Sequence, residues 1–204
     1  MRNYFIMIDI DYIKGFDQII FDLDDTLIYE IDYLFAGYLE IAKNFGKSSL
    51  EKTRMFTYLV DNFKLGNRSK LFNDFIYSFS LNKSDIVIML TILRNVKIKG
   101  SLRLTNEAKI ILYSLMGLNK KYYVVTNGNP IQQANKLKQI NWDGLPMPAK
   151  VVFANEYKPK PSPDSFFQIR ELLSQSKILY IGDSEVDFEY AKNCGMDFYK
   201  LKIV

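Results

Sequence analysis

The sequence predicts an α/β fold in which short strands of a parallel sheet alternate with helices, and a helical segment interrupts the alternation. Three observations carry this. Short apolar runs at Ile19-Ile20-Phe21, Tyr122-Tyr123-Val124-Val125 and Ile178-Leu179-Tyr180-Ile181 read as strands buried on both faces. Between them lie stretches with helical spacing and capping residues, as right-handed crossovers between parallel strands require. Each run also ends in a polar cluster, and ligands of open parallel sheets bind beyond the carboxyl ends of the strands.

The first fifteen residues hold an acidic pair, Asp9-Ile10-Asp11, with no Thr two places on and no helical pattern behind it. It is expected to be a solvated extra strand or turn. The opening run Tyr4-Phe5-Ile6-Met7-Ile8 is too short for a signal-peptide core and meets acid at once. After the break at Gly15 comes the strand at 18–21, and Asp22-Leu23-Asp24-Asp25-Thr26-Leu27 begins where the apolar run stops. Side chains alternate along a strand, so Asp22 and Asp24 project to one side and Leu23 to the other. Two carboxylates about 4 Å apart repel by roughly 4 kcal/mol at an effective dielectric near 20, so the pair calls for a cation, a basic side chain or a shared proton. In isolation such a pair is equally a capped turn.

From Glu30 to Val96 helical faces replace strands. Ile31, Leu34, Tyr38, Ile41 and Phe45 form one stripe ending at Gly46, and Met55, Leu59 and Phe63 a second before Gly66. Phe72, Phe75, Ile76 and Phe79 form a third, and Ile86, Leu90 and Leu93 a fourth. These stripes suit the core of a small inserted bundle. A helix over 107–116 then leads into the strand at 122–125. Asn129 and Pro130 are an N-cap and first-turn pair for a helix through Ile140. Val151-Val152-Phe153 is a further strand, and Ser162-Pro163 opens a helix carrying Phe166, Phe167, Ile169 and Leu173. The strand at 178–181 is cut by Gly182, followed by a helix to about Asn193 with Gly195 as its stop, and by a last short strand over 198–201.

The 204 residues are nearly half apolar, and 27 Lys and Arg against 23 Asp and Glu leave a net charge of +4 without a clustered basic face. That balance suits an anionic small molecule rather than a nucleic acid. Cys194 is the one cysteine, so no intramolecular disulfide forms, and no apolar run approaches the roughly 18 residues of a membrane span. A cytoplasmic protein is expected. Histidine is absent altogether, which removes His triads, His metal sites and the usual neutral-pH proton shuttle. Acid–base chemistry is left to carboxylates, Lys, Tyr or Cys.

Three further clusters follow the first acidic one. Thr126, with Asn127 behind it, supplies a hydroxyl and turn amides of the kind a phosphate oxygen accepts from, and is equally an ordinary turn cap. Lys158-Pro159-Lys160-Pro161-Ser162-Pro163 holds a cation in a proline-stiffened loop before a helix, or is a solvated basic loop. Gly182-Asp183-Ser184-Glu185-Val186-Asp187 puts acids in the first turn of a helix, where the macrodipole alone favours them.

In this order and spacing the four clusters resemble the four motifs of the haloacid dehalogenase superfamily: Asp-x-Asp-x-Thr, a Thr or Ser after the second strand, Lys-Pro-x-Pro, and Gly-Asp-Ser/Thr-x-x-Asp. The resemblance implies a Rossmann-like, doubly wound parallel-sheet core over residues 1–28 and 98–204, with an inserted α-helical cap over 29–97 as in the family's first cap class. Candidate hinges are Tyr29, Glu30, Lys99 and Gly100. It further implies a two-step phosphoryl transfer. Asp22 is the nucleophile that forms an aspartyl-phosphate, and Asp24 is the general acid and then base. Mg²⁺ is held by Asp22, the Asp24 backbone carbonyl and Asp183, with Asp187 ordering its surroundings or Lys160. Thr126, Asn127 and Lys160 bind the phosphoryl oxygens. Both Lys158 and Lys160 begin a Lys-Pro-x-Pro string, and the register of Pro163-Asp164-Ser165-Phe166 favours Lys160.

Members of the family that displace halide need neither the acid two residues after the nucleophile nor a metal, so Asp24 and Asp183 disfavour dehalogenation. The expectation is a Mg²⁺-dependent phosphatase acting on a small phosphorylated metabolite, with no nucleic-acid or membrane partner. Sugar phosphates, nucleoside monophosphates and phosphoglycolate-like acids all fit. Transfer to another acceptor, as in the family's mutases, and a non-catalytic phosphometabolite-binding protein are the alternatives.

Overall fold

The structure, a computed structural model, describes residues 8–173 and 177–202. Residues 4–7 of the opening apolar run lie outside the described residues. In chain order the elements are α1 (Ile10–Lys14), β1 (Gln18–Phe21), α2 (Glu30–Phe45), α3 (Ser49–Lys64), α4 (Leu71–Ser78), α5 (Asp85–Asn95), β2 (Leu102–Arg103), α6 (Asn106–Gly117), β3 (Tyr122–Thr126), α7 (Pro130–Lys138), β4 (Ile140–Asn141), β5 (Lys150–Phe153), α8 (Phe167–Arg170), β6 (Ile178–Gly182), α9 (Glu185–Asn193) and β7 (Asp197–Lys200). The chain divides into two compact units, Met1–Glu30 with Arg103–Gln133 and Ile140–Val204, and Ile31–Leu102 with Ala134–Gln139.

The first unit is a Rossmann-like α/β core. Its sheet has the order β5-β3-β1-β6-β7, and every pairing is parallel. The chain starts at the central strand and winds outward in both directions, through β3 and β5 on one side and β6 and β7 on the other. Doubly wound sheets bind ligands where the winding reverses, which here is the carboxyl end of β1. Register brings the ends together: Phe21 lies opposite both Val124 and Ile181, so the residues after β1, β3 and β6 emerge side by side.

Burial explains why these runs form central strands. Ile19, Ile20 and Phe21 of β1 and Leu179, Tyr180 and Ile181 of β6 are all fully buried, and each such side chain stabilises the fold by about 1.5–3 kcal/mol. One face packs Ile20, Val125 and Tyr180 against Phe166, Ile169 and Tyr190.

Several local expectations are corrected. The Asp9–Asp11 pair is neither strand nor turn, because Asp9 accepts from Tyr12 N at 2.8 Å and caps the single-turn helix α1. Helix α7 ends at Lys138 and Ile140 lies in β4. The helix after Ser162 is a 3₁₀ turn over Pro163–Phe166 that becomes α-helical only at Phe167, and Phe167 is exposed whereas Phe166, Ile169 and Leu173 are buried. A 3₁₀ turn advances fewer residues per turn than an α-helix, which shifts the inward face by one position.

The second unit is built from α2, α3, α4 and α5, with Ala134–Gln139 clustering with them. Tyr33, Leu34, Tyr38 and Ile41 of α2, Met55 and Leu59 of α3, Leu71 and Phe75 of α4, and Met89 and Leu93 of α5 are buried. On α5 the centre of the buried face is Met89 rather than Ile86 and Leu90, which are half-buried. Gly37 allows α2 to lie directly on the Leu93 side chain. Asn135 donates to the Tyr33 hydroxyl and the Val96 carbonyl, both at 2.9 Å. No helix among the described residues is long and apolar enough to cross a membrane.

Candidate active site

The polar residues that follow β1, β3 and β6 meet on the first unit. Asp22 continues the β1–β6 ladder, its N–H donating to the Ile181 carbonyl at 2.9 Å, so its backbone is as fixed as the strand before it. The chain then turns sharply. Leu27 and Ile28 both donate to the Leu23 carbonyl, Leu23 is buried, and Asp25 takes a left-handed conformation with φ of 49°. Asp25 Oδ1 accepts from Glu30 N at 3.0 Å, which ties the turn to the start of α2.

Lys160 reaches this point from the loop after β5. The Asn127 side chain clamps its backbone from both sides, Oδ1 accepting from Lys160 N at 2.7 Å and Nδ2 donating to Lys160 O at 3.0 Å. Asn193 of α9 donates to the next carbonyl, Pro161 O, at 2.8 Å. So held, the buried Lys160 Nζ donates to Asp22 Oδ1 and Asp187 Oδ1, each at 2.6 Å, and to the Tyr180 hydroxyl at 2.8 Å. Lys158 is exposed and pairs with Asp164 at 3.2 Å. Of the two lysines, Lys160 and not Lys158 therefore lies against Asp22 and Asp187.

Asp187 sits in the first turn of α9. Its Oδ2 accepts from the Ser184 hydroxyl at 2.6 Å and completes a capping box with that residue. Gly182 makes the approach possible, since a Cβ there would fall 2.6 Å from Asp187 Cβ and Cγ. Tyr180 adds a second buried support. Its hydroxyl donates to Val125 O at 2.9 Å or to Asp187 Oδ1 at 3.2 Å, while accepting from Lys160.

Carboxylate oxygens of Asp22, Asp183 and Asp187 lie within 4.8 Å of one another. At an effective dielectric near 20, each such pair repels by about 3 kcal/mol or more, and a single ammonium leaves the cluster negative. The ionisation of the groups records this. Burial drives the Asp22 carboxyl up, and Asp187 and Asp24 add to the shift that Lys160 only partly opposes. Burial likewise raises Asp183 to about 6, with help from Asp187 and Asp25. For Asp187 burial is outweighed by the Lys160 charge and by hydrogen bonds from Lys160 and Ser184, and its carboxyl is held low. Burial also works against the Lys160 charge, but Asp22 and Asp187 overcome it and hold the ammonium above the usual lysine range. A three-carboxylate cluster of hard oxygen donors suits a divalent cation such as Mg²⁺. Asp187 is already engaged through both oxygens, so Asp22 and Asp183 are the better-placed side-chain ligands.

Of the sequence-predicted residues, the structure thus brings together Asp22, Asp183, Asp187 and Lys160. The Asp24 side chain stands outside the carboxylate cluster and accepts from Gln133 Nε2 at 2.8 Å. Thr126 ends β3 and accepts from the same Gln133 nitrogen at 2.7 Å, its hydroxyl donating to Asn127 O at 3.2 Å. The Asn127 side chain is used in positioning Lys160. Gln133 and Tyr180 were missed in the sequence. The available signals were a polar residue on the inward face of a short helix and a phenol inside an otherwise aliphatic strand.

A family model described as haloacid dehalogenase-like hydrolase matches residues 19–201. The chain belongs to this family. Among solved structures, this haloacid dehalogenase-like hydrolase is similar to the putative HAD-hydrolase YfnB from Bacillus subtilis, whose structure is bound to magnesium; identity is 21%, coverage 91% of this chain and 86% of that one, and the TM-score 0.62. It also resembles a putative beta-phosphoglucomutase from Thermotoga maritima, at 16% identity, 92% and 86% coverage and a TM-score of 0.63. An L-2-haloacid dehalogenase matches at 15% identity, 91% and 86% coverage and a TM-score of 0.55. At these identities the likeness is one of fold. No curated protein matches the sequence.

Proposed function

We propose that this hydrolase is a Mg²⁺-dependent phosphatase that acts on a small phosphomonoester through an aspartyl-phosphate. The observation that carries the reading is the pairing of an acid at Asp24 with the Asp22–Asp183 carboxylate pair. Phosphoryl transfer uses that acid and a metal held by the carboxylates, whereas halide displacement needs the nucleophile but neither the acid two residues after it nor a metal.

Asp22, Asp183 and the Asp24 backbone carbonyl would hold the ion, which when bound screens carboxylate from phosphate and neutralises developing charge. Asp22 attacks phosphorus, and the bond from phosphorus to the ester oxygen breaks as the Asp22–phosphorus bond forms. Asp24 gives its proton to the departing oxygen. A water then loses a proton to Asp24 and attacks the same phosphorus, releasing inorganic phosphate and the Asp22 carboxylate. Lys160 and Thr126 bind phosphoryl oxygens, and Lys160 also orients the Asp22 carboxyl and opposes the burial that disfavours its charged form. Asp187 and Tyr180 position Lys160. The inserted helical unit serves in this reading as the cap that selects the substrate.

Phosphate release from 4-nitrophenyl phosphate, with and without Mg²⁺, tests the assignment beside the Asp22→Asn variant. Release that requires the metal and disappears in the variant is expected. Chloride release from a 2-haloacid without phosphatase activity, or undiminished turnover in Asp22→Asn, would overturn it. Phosphorylated product without stoichiometric inorganic phosphate would mark transfer to another acceptor instead.

A further inference from the structure

The amide of Gln133 is buried in the first unit and joins two residues of the site. Its residue is 1% exposed, and its Nε2 donates to Asp24 Oδ2 at 2.8 Å and to Thr126 Oγ1 at 2.7 Å. An amide nitrogen carries two hydrogens, and here each is committed to a different residue of the site. The anchoring of Gln133 is itself firm. Asn129 Oδ1 accepts from Ile131 N at 3.1 Å and Gln132 N at 3.3 Å, and Gln133 N donates to Asn129 O at 3.0 Å, so the first turn of α7 is fixed. Gly128, with φ of 115°, gives the side chain its room, since a Cβ there would stand 3.3 Å from Gln133 Cδ.

We infer that Gln133 is a positioning residue that ties the Asp24 carboxyl to the Thr126 hydroxyl. The inference rests on the phosphatase reading above and adds to it a residue outside the four motifs. Because the Thr126 oxygen accepts from Gln133, its own hydrogen must point away from the amide. It now donates over 3.2 Å to Asn127 O, a long bond that a phosphoryl oxygen can replace. The same amide holds one oxygen of Asp24. The acid that serves the leaving oxygen and the hydroxyl that holds the phosphoryl group thus keep a set separation, which is what near-attack geometry demands.

The two arms separate positioning from simple structural support. Kinetics of phenyl phosphate and 4-nitrophenyl phosphate, alike in size, are compared in Gln133→Met, which keeps the length of the side chain and removes both donors. Nitrophenolate leaves readily without a proton, and phenolate benefits more from one. A positioned general acid is worth on the order of 10²–10⁴ in rate, so kcat for phenyl phosphate is expected to fall about a hundredfold and that for 4-nitrophenyl phosphate less than tenfold. KM should rise for both through the loosened Thr126. Should Gln133→Met not melt cooperatively, Gln133→Leu also removes both donors without placing a charge beside Asp24 and carries the same expectation. Equal losses of kcat on the two esters, or no loss on either, would overturn the inference while leaving an active wild type and its phosphatase assignment intact. A wild type that releases no phosphate from either ester, or an Asp22→Asn variant as active as wild type, would overturn both.

Discussion

Lys160 lies between two carboxylates that would otherwise face each other in the interior, and one ammonium serves both at 2.6 Å. Replacing it leaves buried acids without a counter-charge, a loss that costs roughly 3–5 kcal/mol where such pairs are broken. Lys160→Ala is therefore expected to abolish phosphate release and to lower the thermal midpoint, both read on the purified variant. Lys158→Ala removes only an exposed ion pair, worth about 1 kcal/mol or less, and should retain turnover within a few-fold. The reverse pattern would move the essential cation to the other lysine. Asp183 supplies a second test at this scale. Its carboxyl is raised to about 6 in the folded chain, above the usual unfolded value near 4, so between these values the folded state binds more protons than the unfolded one. The metal-free protein is thus destabilised by this group as pH rises from 5 to 7. Asp183→Asn, which cannot ionise, should melt above metal-free wild type at pH 7, and the advantage should shrink by pH 5. A difference that is constant with pH would show that Asp183 carries no such strain.

Between elements, β6 and α9 meet tightly, because Gly182 ends the strand and Asp187 returns over it one turn into the helix. A methyl group at 182 would have to occupy space 2.6 Å from Asp187 Cβ and Cγ, and that side chain, held by Lys160 and Ser184, would have to yield. Overpacking of this kind typically costs about 1–3 kcal/mol. Gly182→Ala is expected to cost at least that much in chemical denaturation and to depress kcat, since moving Asp187 moves Lys160 with it. A variant with wild-type kcat would show that the α9 terminus does not set the lysine. Tyr180 illustrates the same dependence of site on element. A strand residue by its neighbours, it spends its hydroxyl on Lys160, Asp187 and the Val125 carbonyl, and thereby joins β6, β3 and the loop after β5 at one atom.

For the whole molecule, a negative cluster carried on two strand ends and a helix stores repulsion that ligand binding can relieve. A cation that binds only the folded state stabilises it by RT ln(1 + [L]/Kd), about 2.7 kcal/mol at a hundred times Kd. Mg²⁺ is expected to raise the thermal midpoint at pH 7.5, to do so less at pH 5 where protons compete at Asp183, and to have little effect on Asp183→Asn. An equal rise in that variant would place the ion elsewhere. Much of this organisation was legible in one dimension. Buried parallel strands are continuous apolar runs, and their ends announce themselves by the switch to Asp22, Thr126 and Asp183, so order and spacing suffice to find them. Lys158 and Lys160 begin strings of equal pattern, and it is the Asn127 clamp on the Lys160 backbone that aims that lysine at Asp22 and Asp187. What the sequence by itself determined was therefore the sheet, the inserted helices and the residues of the four motifs, because each depends on local periodicity or on a chain reversal of fixed chemistry. Only the tertiary structure decided that Asp187 and Tyr180 serve Lys160 and that Gln133 links Asp24 to Thr126. Hydrogen bonds between residues far apart in the chain leave no periodic trace along it.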